Sequence, residues 1–361
     1  MKVAIVHDDL VQWGGAERVL EGICQIYPDA SIFTSVFDKS NPELTKRFWS
    51  RKIVTLFLQK IPGWKFLYKV LFPLYPIAFE QFNFDEFDLV ISHTTRFAKA
   101  IITKPGTVHI SYCHTPPRFL YNFGGQFNWP FLKPFLNWLR HFDKISAQRA
   151  DHFLAGSKNA QQRIKQIYGR EAQVLYPYID LKRFENIESF DGGYFLVIAR
   201  LNKYKRVDLA IEACKRLEVP LKVVGIGPER KNLELGTKNQ ELVNIEFLGQ
   251  VNDELLVRLL AGCKALIVAG EEDFGLTPLE AQTLGKPVIA FGNGGSLETV
   301  INNKTGILFE EQTVESLVAA IQKLEKIRFN QVDAQRNANR FSWENFKSNL
   351  QEIVASVVYT S

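Results

Sequence analysis

The stretch Ala265–Ala281, ALIVAGEEDFGLTPLEA, constrains this chain more than any other. Its apolar start, Ala265–Ala269, has the unbroken hydrophobic character of a strand buried on both faces, which points to a parallel sheet. Gly270 closes the strand, and Glu271, Glu272 and Asp273 place three carboxylates at its carboxyl end. Thr277-Pro278-Leu279-Glu280 then predicts a helix start, with Thr277 as N-cap, Pro278 at the first helical position and Glu280 closing a capping box. In open α/β sheets, ligands bind outside the carboxyl ends of the strands. A helix N-terminus placed there offers backbone N–H groups to an anion such as a phosphate.

The same strand–loop–helix grammar recurs along the chain. The strand Val3–Val6 is followed by a loop carrying Gly14-Gly15 and a helix from Ala16 to Tyr27. Strands are expected at Ser31–Phe37, Asp88–Ser92, Val108–Tyr112, His152–Ala155 and Gln173–Tyr176, with helices at Leu132–Ala150 and Lys158–Tyr168. After the polar stretch Tyr178–Gly193, which reads as a linker, a second series begins. It runs through strands at Tyr194–Ala199, Leu221–Val224, Ile245–Leu248 and Pro287–Ala290 and helices at Val207–Leu217, Asp253–Ala261 and Val314–Ile327. Such alternation predicts an α/β protein with two doubly wound, Rossmann-like domains, residues 1–180 and 181–340, and a closing helix within 341–361. A chain of 361 residues can bury two cores of that kind.

Charge is unevenly spread. Residues 1–180 hold 22 Lys and Arg against 15 Asp and Glu, whereas the remainder holds 22 against 24. The excess sits in Lys39–Lys69, with eight basic residues and one acidic, interleaved with Phe48, Trp49, Phe57, Trp64, Phe66 and Tyr68. A basic, aromatic segment suits an anionic membrane surface, with Lys46, Arg47, Arg51, Lys52, Lys60, Lys65 and Lys69 as docking cations. A solvated lobe over an ordinary core is the competing reading. The opening MKVAIVHDD is a strand cut short by Asp8-Asp9 rather than a secretory leader, and Cys24, Cys113, Cys214 and Cys263 lie far apart in apolar segments. A cytoplasmic address, peripheral to the membrane, is therefore expected, since no run is long enough to span it.

Two cations, Arg200 and Lys205, follow the first strand of the second series, where they suit a diphosphate or form a surface-exposed basic turn. Glu272 and Glu280 are strong acceptors for vicinal hydroxyls, with a solvated loop carboxylate and a helix cap as their plain alternatives. His93 and His114 end neighbouring strands on the ligand edge. Gly14-Gly15 lacks the GxGxxG spacing of a dinucleotide site, and a tight turn explains it equally well.

Taken together, EDFGLTPLEAQTLGKPVIAFGNGGSLETV resembles the signature of the retaining glycosyltransferases of family 4, with its two glutamates read as Glu272 and Glu280. Arg200 and Lys205 match the family's basic pair, and Gly14-Gly15 its N-terminal glycine loop. ISYCHTPPRFLYN and ISHTTRFAKAI look like the branch of O-antigen mannosyltransferases typified by WbaZ. The resemblance implies the GT-B fold: two Rossmann-like domains facing each other across a cleft, with the closing helix crossing back to the first. It also implies a metal-independent transfer, with no cofactor beyond the nucleotide-sugar substrate, GDP-mannose being favoured and a UDP-sugar the alternative. By position, Glu272 with the amides of Phe274 and Gly275 would hold the donor sugar, and the amides of Leu276 and Thr277 would approach the phosphates. Glu280 would bind the ribose, the backbone at Val251 the base, and His114 would line the sugar. The expected acceptor is a lipid-linked saccharide. The competing functions are a soluble UDP-sugar transferase acting on a small acceptor and a non-catalytic nucleotide- or nucleic-acid-binding protein; no nucleic-acid module is recognisable.

Overall fold

The computed structural model describes residues 1–68, 70–121, 123, 133–236 and 245–358. The chain forms two compact units, residues 1–177 together with the chain from Phe346 onward, and residues 178–345.

The first unit is built on seven strands: β1 (Val3–His7), β2 (Ser31–Thr34), β3 (Ile53–Thr55), β4 (Leu89–Thr94), β5 (Val108–Cys113), β6 (His152–Ala155) and β7 (Gln173–Val174). They lie in the order β3-β2-β1-β4-β5-β6-β7, and every pair is parallel. Residues at the centre of the sheet are buried on both faces, which is why these strands read as continuous apolar runs. The helix Gly15–Ile26 buries Val19, Leu20, Ile23 and Cys24 in the way its periodicity predicts. A second helix, Lys133–Ala147, adds Leu136 and Leu139 to a core of Phe33, Phe79, Phe84 and Phe97.

The second unit has six strands: β8 (Tyr194–Ile198), β9 (Leu221–Val224), β10 (Ile245–Gly249), β11 (Cys263–Val268), β12 (Val288–Phe291) and β13 (Gly306–Phe309). Their order is β10-β9-β8-β11-β12-β13, again wholly parallel. Phe195, Val197, Ile267 and Ile289 of the sheet pack with Val207 and Ile211 of the helix Val207–Arg216 and with Leu317 and Ile321 of the helix Val314–Lys326. The expected pair of doubly wound parallel sheets is thus present. In each, the strand order reverses beside the first strand, between β1 and β4 and between β8 and β11. That reversal opens the crevice where such sheets bind ligands.

Several elements escape the periodicity. The helix Gln331–Asn339 docks through polar contacts: Asn337 Nδ2 donates to Gln282 Oε1 at 2.7 Å and to the Thr299 carbonyl at 2.9 Å. A helix held by a buried amide network carries little apolar stripe to read. The supposed linker also has structure, a 3₁₀ turn at Leu181–Phe184 in which Asp180 accepts the Lys182 N–H at 3.2 Å.

Candidate active site

In the second unit the loops after β8 and β11 meet at the strand-order reversal. Arg200 lies two residues past β8 and is exposed; Lys205 ends a 3₁₀ turn and is half-buried. Lys205 Nζ reaches Glu272 Oε1 at 2.5 Å, so the structure joins two residues 67 apart in sequence that were singled out separately. Gly270 makes this approach feasible, because a Cβ there would stand 2.6 Å from both Lys205 Cα and the Tyr204 carbonyl. The next residue, Arg206, holds a left-handed backbone at φ 49°, a conformation that costs a non-glycine residue roughly 1 kcal/mol.

The helix after β11 starts earlier than the sequence suggests. It spans Leu276–Thr283, its N-cap is Gly275 at φ 95°, and no described side chain caps it. The capping box of Thr277 and Glu280 is therefore corrected: the chain needs glycine's left-handed conformation to turn from loop into helix, which places Thr277 and Pro278 inside the first turn. The amides of Leu276 and Thr277 head a helix whose N-terminus carries about half a positive charge.

Released from capping, Glu280 is buried and accepts from Arg183 Nη1 at 2.6 Å. Arg183 comes from the stretch read as a linker, and its Nε also donates to Asp253 Oδ2 at 3.0 Å. Asp253 opens the helix Asp253–Gly262, which Asn252 caps through Leu255 N–H at 2.9 Å, and Val251 lies just before it, partly buried. One guanidinium thus ties the candidate ribose ligand to the segment expected to meet the base. No periodicity marks a lone arginine in a polar stretch, so the sequence gives no signal for it.

The first unit's reversal point is organised differently. His7 and His93 are register partners on adjacent parallel strands, so their rings share one face and stack at 5.0 Å. Tyr112 stacks on the other side of His93 at 5.4 Å, and His114, two residues further on the same side of the chain, meets His93 edge-on at 4.5 Å. The nitrogens form a string: His7 Nδ1 lies 2.9 Å from His93 Nδ1, and His93 Nε2 lies 2.6 Å from His114 Nε2. His7 Nε2 faces Glu17 Oε1 at 3.8 Å, and both side chains are buried. These nitrogens pair with one another rather than converging on a point, and no metal-type group of His, Cys, Asp and Glu occurs among the described residues.

Burial works against the charged form of His7, yet Glu17, Asp8 and Asp9 outweigh it and raise the ring's pKa above its ordinary value. Burial, with His114 and His7 alongside, holds His93 well below it. Asp8 is wholly satisfied: its carboxylate accepts the backbone N–H of Thr95 (2.6 Å), Arg96 (2.9 Å), Phe97 (2.8 Å) and Ala98 (2.7 Å). Burial raises its pKa, but Arg96, His7 and the amides overcome that and leave it lowered. Asp9 pairs with Arg96.

Gly14 caps the helix Gly15–Ile26 in extended backbone, and a Cβ there would lie 3.1 Å from Glu17 Oε2. Trp13 packs on Phe48 beneath the Arg47 guanidinium, which lies 4.2 Å from its ring.

The basic segment does not act as one set. Arg51 donates to the carbonyls of Cys24 (2.7 Å), Tyr27 (3.2 Å) and Pro28, fastening the C-terminal end of Gly15–Ile26, and this removes it from the docking cations. Arg47 pairs with Glu21 at 3.1 Å and Glu43 at 3.6 Å, and Lys65 with Asp38 at 2.6 Å. Lys46, Lys52 and Lys60 are exposed; Lys69 lies outside the described residues. Beside them Trp49, Phe66 and Val70 are 82%, 88% and 70% exposed. Among the described residues no helix is long and apolar enough to cross a membrane.

Two wholly parallel, Rossmann-like sheets with this strand order have the architecture of the GT-B fold. Comparison with known proteins adds the activity. Residues 13–183 match the model described as Glycosyltransferase Family 4, and residues 179–341 the one described as Glycosyl transferases group 1; the chain is a glycosyltransferase. It is 27% identical to an alpha-1,3/1,6-mannosyltransferase ALG2 of Dictyostelium discoideum, over 98% of each chain. It is 25% identical to the mouse protein of the same name, over 99% of this chain and 96% of that one. Among solved structures, the Anabaena protein Alr3699/HepE in complex with UDP-glucose superposes with a TM-score of 0.73 at 20% identity, covering 99% of this chain and all of the other.

Proposed function

We propose that this chain transfers mannose from GDP-mannose to a lipid-linked saccharide at an anionic membrane surface, with retention of configuration and without a metal. The observation that carries the sugar is the likeness, over nearly the whole chain, to relatives named alpha-1,3/1,6-mannosyltransferases. The geometry supports the donor's placement. Lys205, beside Glu272, Arg200 at the end of β8 and the N-terminus of Leu276–Thr283 are the positive groups that would meet charge developing on a leaving diphosphate. Glu272 would accept from sugar hydroxyls with the Phe274 and Gly275 amides beside it, and Glu280 from the ribose. As the glycosyl–phosphate bond breaks, the incoming hydroxyl attacks from the same face and hands its proton to a leaving phosphate oxygen. No side chain then has to be a covalent nucleophile.

Docking would fall to Lys46, Lys52 and Lys60 with the exposed Trp49, Phe66 and Val70. The decisive experiment is a panel of donors, GDP-mannose, UDP-glucose and UDP-N-acetylglucosamine, scored by thermal shift and by donor hydrolysis. GDP-mannose is expected to give the largest shift and the fastest turnover, and preference for a UDP-sugar overturns the assignment. Turnover is expected to survive EDTA unchanged; complete loss on chelation contradicts the mechanism.

A further inference from the structure

Arg200 is exposed, yet the backbone that carries it is fastened on both sides. Leu201, the next residue, buries its side chain in the core of the second unit. The loop after β9, residues 225–229, does the fastening. Ala199 N–H donates to the Val224 carbonyl at 3.0 Å and Leu201 N–H to the Ile226 carbonyl at 2.9 Å, while the Leu201 carbonyl accepts the Glu229 N–H at 3.0 Å. These bonds carry the pairing of β8 with β9 past the end of β8, so Arg200 projects from a backbone with little freedom to turn.

Two glycines allow the loops to come so close. A Cβ at Gly225 would overlap the Ala199 carbonyl oxygen and stand 2.9 Å from its carbon, and φ there is 133°, which other residues rarely adopt. A Cβ at Gly227 would overlap the Leu201 carbonyl oxygen and stand 2.6 Å from the carbonyl carbon and 2.7 Å from the amide nitrogen. Gly225 N–H is held in turn by the Gly249 carbonyl of β10 at 2.7 Å. Because backbone meets backbone, no side-chain rotation relieves an added methyl group; the segment bearing Arg200 has to move.

We propose that Gly225 and Gly227 are positioning residues for Arg200: they let the loop after β9 close on residues 199–201 and so fix the point from which the guanidinium projects. This rests on the reading that places Arg200 at the donor diphosphate. A preorganised cation stabilises developing charge only from the right position, and a misplacement of about 1 Å can cost roughly 100-fold in rate.

The test compares GDP-mannose turnover in the full chain for Gly227→Ala, Arg200→Ala, the double variant and, as control, Gly306→Ala. Gly306 pairs with Val288 where β12 and β13 begin, at the end of the sheet opposite the site loops. A Cβ there would overlap the Val288 carbonyl oxygen and stand 2.9 Å from its carbon, so the same kind of clash arises away from Arg200. Gly227→Ala is expected to lower kcat about 10- to 100-fold alone, but no more than about twofold in the Arg200→Ala background. Gly306→Ala is expected to lose stability and keep kcat. An equal loss with and without the Arg200 guanidinium, or an equal loss from Gly306→Ala, overturns the inference. Amide hydrogen exchange needs neither donor nor variant: Ala199 and Leu201 N–H should exchange in the wild type as slowly as the amides inside β8. In Gly227→Ala, Leu201 N–H should exchange about tenfold faster or more. Rapid exchange at Leu201 in the wild type overturns the inference even where Gly227→Ala does not fold. Full kcat in Arg200→Ala overturns the diphosphate reading instead, so the two failures are told apart.

Discussion

The two reversal points occupy equivalent places in two similar sheets, yet they are finished differently. At the first unit's reversal point the buried charges have partners: Asp8 four amides, Asp9 the Arg96 guanidinium, and His7 faces Glu17. In the second the chemistry is half-exposed, with Arg200 at the surface and Lys205 resting on Glu272. A fully satisfied buried network fixes geometry, whereas a partly exposed pair can exchange partners when a ligand arrives. The first reversal point thus has its side chains fixed by their partners, and the second leaves a cation and a carboxylate partly exposed.

That contrast can be broken from either side. The largest effect is expected on the satisfied side: Asp8→Ala strands four backbone donors and should cost about 3–5 kcal/mol in denaturant unfolding. Because the Asp8 pKa is lowered in the fold, its contribution is fully present above the ordinary carboxylate range and is lost as pH falls below that range through the lowered folded value, so wild type and variant should draw together in strong acid. On the receptive side, Lys205→Ala or Arg200→Ala should lower kcat roughly 100- to 1,000-fold with little loss of stability; an unchanged kcat removes the residue from the site. Arg183→Met should raise the donor KM about tenfold while keeping most of kcat, since it frees Glu280 to wander without touching the phosphates. Smallest is the membrane term. Each of Lys46, Lys52 and Lys60 changed to Gln should weaken sedimentation with anionic liposomes about fivefold, the equivalent of roughly 1 kcal/mol per charge. Arg51→Gln should leave that binding unmoved and reduce stability instead, because its guanidinium is committed to carbonyls.

What the sequence made legible follows from which interactions are local. Strand ends are local, so Glu272, Arg200 and Lys205 could be placed on a ligand edge before their contact was known. The parallel sheets followed from the alternation of apolar runs and amphipathic helices. The start of Leu276–Thr283 was misplaced because Thr277, Pro278 and Glu280 satisfy capping grammar by spacing alone, whereas the left-handed turn at Gly275 is a property of the folded loop. His7 and His93 are 86 residues apart, and only the order β1 beside β4 makes them partners. Arg183 and Arg51 escaped for the same reason: each does its work on groups distant in sequence.

The bond between Lys205 and Glu272 means that the resting site is already occupied by the protein itself. A ligand must part the two, and on the proposed roles each half then asks for something different, the ammonium for phosphate oxygens and the carboxylate for hydroxyls. A free diphosphate answers only the first and leaves Glu272 without its cation, while a neutral sugar answers only the second. On those roles the internal pair would yield most readily to a molecule that carries both groups at once.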